Sequence, residues 1–116
     1  MVVLVINETA VFREIVRRFF EMRGYAVLEA ATSSESYLQA MEYKPQVVLV
    51  DNLMESLSCL TICKNIQSIP GMETAKFVIF TDFEGEVEDA SGINLKETIT
   101  KPNIVPKLKK AFPALK

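Results

Sequence analysis

Three apolar runs and one short, more polar segment of this chain end on side chains that can do chemistry. "VVLVI" (2–6) is followed by Asn7 and Glu8, and "QVVLV" (46–50) by Asp51. "KFVIF" (76–80) is followed by Thr81 and Asp82, and "KETIT" (96–100) by Lys101. Brought to one place, these groups suit phosphoryl transfer. A carboxylate such as Asp51 can take up a phosphoryl group as a nucleophile. Its charge repels the incoming phosphoryl oxygens, so a cation must bridge them. Mg2+ fits, because it binds through one or two carboxylates plus phosphate oxygens. Glu8 offers the second carboxylate, Lys101 a point charge for a phosphoryl oxygen, and Thr81 a donor hydroxyl. Any one of these residues is equally well explained as a solvated strand end. Their joint placement at the ends of successive expected strands is what argues for a site.

The elements that must position them alternate in period. The uniformly apolar runs 2–6, 46–50 and 76–80 suit strands covered on both faces, hence central ones. "YAVLEA" (25–30) is less apolar and is expected nearer an edge, and 96–100 is a short fifth strand. Between them lie helix-period segments. Residues 8–24 carry Val11, Phe12, Ile15, Val16, Phe19 and Met22 at helical spacing, with Gly24 as a C-cap. Thr32 and Glu35 form a capping box that opens a helix ending before Pro45. Residues 56–71 form a third helix, with Leu57, Leu60, Cys63 and Ile66 inward. Segment 82–92 takes the place of a fourth helix but is acidic and has little apolar face. Residues 103–116 form a last helix, with Asn103 as N-cap and Val105, Leu108 and Phe112 inward. The result is α/β, (βα)5: a parallel sheet with helices on both faces and right-handed crossovers. In such sheets ligands bind beyond the carboxyl ends of the strands.

The bulk numbers fit one domain over residues 1–116. Of the 116 residues, 49% are hydrophobic and 24% charged, as in soluble globular proteins. A net charge of -2 and the absence of a basic stripe argue against nucleic acid as a direct partner. No apolar run is long enough to span a membrane, and the N-terminus lacks the basic region of a signal peptide. A cytoplasmic location is the expectation. Cys59 and Cys63 share a helical face, and with no histidine in the chain they read as buried free thiols rather than metal ligands. No Gly-rich phosphate loop supports a nucleotide-binding function.

These residues resemble the receiver domain of two-component response regulators, the CheY-like fold, over nearly the whole chain. "VLVINE" stands where that family has an acidic pair, "KPQVVLVDNLM" carries the phospho-acceptor Asp51, "KFVIFTD" the switch Thr81, and "TITKP" Lys101 and Pro102. The spacings from Glu8 to Asp51 and from Asp51 to Thr81 are the usual ones. That from Thr81 to Lys101 is slightly short, with the deficit in 82–92. The resemblance implies a flavodoxin-like sheet of order 2-1-3-4-5, often with a cis bond before Pro102. It implies that Asp51, Thr81 and Lys101 carry the chemistry. Mg2+ would sit on Glu8, Asp51, the Leu53 backbone carbonyl and, through water, Asn7. Activity would extend at most to the domain's own phosphorylation and dephosphorylation. The donor would be a sensor histidine kinase or a phosphotransfer protein. The output face, for a downstream protein or a homodimer, would be the fourth helix, fifth strand and fifth helix.

Several positions depart from that pattern. Asn7 replaces the first acid, Thr98 takes the place of a switch aromatic, and the loop 54–59 lacks the usual Pro and Gly. Asp82 stands where a small residue is usual, and is expected to turn outward and cap the next helix. Leu53 and Phe83 are apolar at positions that flank the path of the hydrolysing water. These departures keep a second reading in view: a pseudo-receiver that binds partners without phosphate.

Overall fold

The computed structural model describes residues 1–52, 58–82 and 92–114. Its elements are β1 (Val2–Ile6), α1 (Ala10–Glu21), β2 (Ala26–Ala30), α2 (Ser33–Tyr43), β3 (Val47–Asp51), α3 (Cys59–Gln67), β4 (Lys76–Thr81), β5 (Leu95–Thr100) and α4 (Ile104–Ala111). The strands form one sheet in the order β2-β1-β3-β4-β5, as expected, and every neighbouring pair is parallel. The fourth helix expected from segment 82–92 lies outside the described residues, so the helix expected fifth is α4 here.

Period-two alternation divides the core between the two faces of the sheet. Leu4, Ile6, Val48, Val50, Phe77 and Ile79 face α2 and α3, where Ala40, Ile62, Cys63 and Ile66 are buried against them. Val3, Val5, Leu49, Val78, Phe80 and Ile99 face α1 and α4, where they meet Val16, Phe20, Ile104, Leu108 and Phe112. Phe20 closes that face. Its ring meets those of Tyr25 and Phe112 edge-on, with centroids 5.2 and 5.1 Å away. Truncation of such a fully buried ring to alanine costs about 3–5 kcal/mol.

Chain turns follow local chemistry. Glu35 donates its backbone N–H to Thr32 Oγ1 at 3.1 Å. The Glu35 carboxylate accepts from the Ala31 N–H at 2.7 Å, one residue before Thr32, whose N–H the expected capping box would use. Ser58 caps α3 through the Thr61 N–H at 3.2 Å. Gly24 takes φ 93°, a conformation that favours glycine, as the chain turns from α1 into β2.

Three helix faces differ from expectation. In α1 the buried residues are Val16 and Phe20, with Phe12 and Phe19 partly buried, while Val11, Ile15 and Met22 are exposed. Apolar residues ring more than half of this helix, so spacing alone could not fix which arc meets the sheet. In α3, Cys59 and Ile62 join Cys63 and Ile66 inside, Leu60 is only partly buried, and Leu57 lies outside the described residues. In α4, Ile104 takes the inner position expected of Val105, which is exposed. Asn103 precedes α4 without a side-chain cap bond, and the helix stops at Ala111, two residues before Pro113. Both cysteines are buried and neither is in a disulfide, as expected. Burial, with Cys59 adding to it, pushes the Cys63 thiol well above its ordinary value. No helix among the described residues is long and apolar enough to cross a membrane.

Candidate functional site

The four central and right-hand strands end together, and their next residues form one cluster. β3 ends on Asp51, a buried carboxylate 6% exposed. Beside it, the residue after β1 is Asn7, also buried. Its backbone N–H continues the ladder to the Ala30 carbonyl at 3.1 Å, and Arg13 Nη1 holds its own carbonyl at 2.6 Å. The Asn7 side chain is thereby fixed in direction. Oδ1 accepts from the Thr9 N–H at 2.7 Å, and Nδ2 donates to Asp51 Oδ2 at 2.6 Å. Asn7 thus turns a donor, not an acceptor, toward Asp51. A hydrogen bond to a charged group of this kind contributes about 1.5–3 kcal/mol.

The other side of Asp51 is built by β4 and β5. Their register pairs Thr81 with Thr100, and the Lys101 N–H continues it to the Thr81 carbonyl at 2.7 Å. This sets Lys101 beside Asp51 and Asp82 at once. Lys101 Nζ donates to Asp51 Oδ2 at 2.9 Å and lies 3.2 Å from Asp82 Oδ1. Burial pulls the Lys101 pKa down, but the hydrogen bonds and charges of Asp51 and Asp82 outweigh it and leave the group above its ordinary value. The ammonium also lies 5.6 Å from the centroid of Phe12, whose ring meets Phe80 edge-on at 5.2 Å. The peptide bond from Lys101 to Pro102 is cis.

Thr81 is fully buried, and its Oγ1 has no hydrogen-bond partner among the described residues. Leaving a buried hydroxyl unpaired costs about 1–3 kcal/mol, so such a group calls for an explanation.

Asn7, Asp51, Thr81, Asp82 and Lys101 are therefore gathered at one sheet edge. Glu8 lies exposed on the turn after β1. Leu53 and Phe83 lie outside the described residues, and Thr98 is half-buried in β5. Asp82 corrects the sequence reading: it turns toward Lys101 rather than outward, because the β4–β5 ladder brings an ammonium alongside it. Among the described residues no group of three or more His, Cys, Asp or Glu is placed to hold a metal ion. Asp51 and Glu8 carry carboxylates, hard oxygen ligands of the kind Mg2+ takes. Surface depressions of about 550 Å³ on α2 and about 290 Å³ at the opposite end of the sheet do not touch the cluster.

Sequence reasoning missed the ion cluster behind Asn7. Arg13 Nε and Arg17 Nε reach the two oxygens of Glu29 at 3.1 and 2.9 Å. The two arginines share a helix face at i,i+4, which was visible. Their partner on β2 depends on the β1–β2 register, which was not.

A family model described as response regulator receiver domain matches residues 3–112. No match was found among curated protein sequences. Solved structures align over nearly the full chain. A CheY-like receiver domain from Methylobacillus flagellatus is 17% identical with a TM-score of 0.82, covering 97% of this chain and 98% of that one. A chemotaxis response regulator of Vibrio cholerae is 19% identical with a TM-score of 0.85, covering 98% of each. The receiver domain of a sensor histidine kinase from Pseudomonas aeruginosa, described with a magnesium ion in its active-site cleft, is 15% identical with a TM-score of 0.80. It covers 94% of this chain and 91% of that one.

Proposed function

The chain belongs to the response regulator receiver domain family, and from that premise we propose that residues 1–116 form one receiver domain phosphorylated on Asp51. The donor is the phosphohistidine of a sensor histidine kinase or a phosphotransfer protein. The bond from the imidazole nitrogen to phosphorus breaks and one from an Asp51 carboxylate oxygen forms. The imidazole leaves with the electron pair. Lys101 holds a phosphoryl oxygen by charge, and Thr81 donates its hydroxyl to another.

The observation that carries this reading is the orphaned Thr81 hydroxyl, fully buried beside a carboxylate already paired with Lys101. A phosphoryl group on Asp51 would give that hydroxyl an acceptor. Mg2+ would be held by the carboxylates of Glu8 and Asp51 and the Leu53 carbonyl, and through water by Asn7 if its amide turned. When bound, it offsets the repulsion between carboxylate and phosphoryl oxygens. Phosphorylation would then shift a two-state equilibrium by local charge and hydrogen bonding. The output surface would be the 82–92 segment, most of which lies outside the described residues, with β5 and α4, and its partner a downstream protein or a second copy. The domain works in the cytoplasm and touches neither nucleic acid nor membrane.

A second reading is favoured by the Asn7 amide. It donates to Asp51 Oδ2 where a receiver usually has an acid, so this carboxylate oxygen is paired without metal or phosphate. In that reading the domain binds partners without being phosphorylated. Acetyl phosphate with Mg2+, read by intact mass, decides. The acceptor reading expects one phosphoryl adduct on the wild type and none on Asp51→Asn. An unchanged wild-type mass at high Mg2+ selects the pseudo-receiver.

A further inference from the structure

Asp82 is the one charged group of the cluster that the proposed phosphorylation leaves without a role. Its position is not incidental. The Lys101 N–H to Thr81 carbonyl bond at 2.7 Å extends the β4–β5 ladder by one step and places residues 82 and 101 side by side. The Asp82 carboxylate then reaches the same ammonium that pairs with Asp51, 3.2 Å on one side and 2.9 Å on the other. Both partners are only partly open to solvent, with side chains 20% exposed for Lys101 and 38% for Asp82.

We infer that Asp82 is a built-in counter-ion of Lys101 that lowers the pocket's affinity for a phosphoryl anion. The inference rests on the acceptor reading of Asp51 and deepens it. A phosphoryl group on Asp51 needs the Lys101 charge. Here that charge is already divided between two carboxylates. The incoming oxygens must compete with Asp82 for Lys101, and they also meet the Asp82 charge itself at close range. Both effects oppose the anion and neither opposes a cation. Asp82 is thus a specificity-determining residue: it sets how demanding a donor must be to load Asp51.

The test uses the whole chain as wild type, Asp82→Asn and Asp82→Ala, with a thermal melt to confirm folding. Beryllofluoride, an analogue of the phosphoryl group, is titrated at fixed Mg2+ and followed by 19F resonance. Mg2+ is titrated alone in parallel. The expected result is beryllofluoride binding tighter by about tenfold or more in both variants, since loss of one like charge nearby is of that order. Mg2+ affinity should fall by less than the anion gain. Equal beryllofluoride affinity in all three proteins would overturn the role of Asp82 and leave Asp51 as acceptor. A drop in Mg2+ affinity with weaker beryllofluoride binding would overturn it too, making Asp82 a source of charge for the metal. Binding only in the variants would support the inference, with Asp82 holding the native affinity below the range titrated. Binding in none would remove both the inference and the acceptor reading.

Discussion

On the β1 side of Asp51 a neutral amide faces the carboxylate, while on the β4–β5 side an ammonium does, itself shared with Asp82. The family resemblance leads one to expect an acidic pair on the first side and a small residue next to the threonine on the second. Here Asn7 removes a negative charge from one flank, and Asp82 adds one on the other. The formal charge of the site is kept, but it has moved from the flank that would hold a cation to the flank that would hold the phosphoryl anion. Simple counting of acids would miss this, because position decides whether a carboxylate helps the metal or opposes the phosphate.

The largest effect that would break this comparison comes from Asn7→Asp. It restores the missing charge and removes the amide donor in one step. Without metal, two buried carboxylates then face each other, so the variant should melt below the wild type in EDTA, by an amount worth about 1–3 kcal/mol. With Mg2+ the order should reverse, and Mg2+ should bind about tenfold tighter or more. Calorimetry with and without Mg2+ reads both numbers. Equal Mg2+ affinities would mean that the β1 flank does not govern the metal.

The sequence made one flank more legible than the other. The uniformly apolar runs marked β1, β3 and β4 as central, and a buried strand has to end at the sheet edge, so Asp51 and Thr81 could be placed from composition alone. The strand order itself came with the family resemblance. The family pattern gives Asn7 only as the replacement of an acid, able to hold Mg2+ through water. Its role as a donor depends on the Thr9 N–H holding Oδ1, a bond two residues along that no pattern announces. Asp82 was read as an outward cap because a strand-end aspartate before a helical segment usually is one. Its true direction depends on Lys101 arriving from β5, a contact between residues far apart in sequence. Helix faces failed for a different reason. In α1, apolar residues at Val11, Ile15, Val16, Phe19 and Phe20 allow more than one buried arc, and only the fit of Phe20 against Tyr25 and Phe112 selects one.

A smaller effect concerns the lifetime of any phospho-form. Leu53 and Phe83, which lie outside the described residues, follow Asp51 and Thr81 by two positions, and neither can orient a water by hydrogen bonding. In such a form Asp51 would be tied up as the acyl phosphate and could not act as a base, so hydrolysis would lack positioned assistance. The phospho-form should decay slowly, and Phe83→Glu or Leu53→Asn should shorten its lifetime several-fold by intact-mass time course. Fast wild-type decay, unmoved by either substitution, would point to Asp82 activating the water and would sharpen the contrast between the flanks.

The smallest effect separates the flanks by pH. Lys101 has its folded pKa raised: burial lowers it, but Asp51 and Asp82 outweigh that. A raised pKa means that the ammonium stabilises the fold fully below the ordinary lysine value of 10.5 and loses that contribution as pH rises through the folded value. The pair is partly open to water, so the contribution is of order 1 kcal/mol or less. Denaturation of wild type and Lys101→Met, from neutral pH to above 10.5, should show a constant difference that shrinks at the alkaline end. Cys63, whose thiol is also raised from 9.0, loses stability in the same range, but it does so in both proteins and cancels. Asn7→Ala provides the opposite flank as control. Its amide does not titrate, so its cost should stay flat while that of Lys101→Met declines. Two parallel slopes would mean that the Asn7 bond depends on the Lys101 charge, and that the two sides of Asp51 act as one network rather than as separate supports.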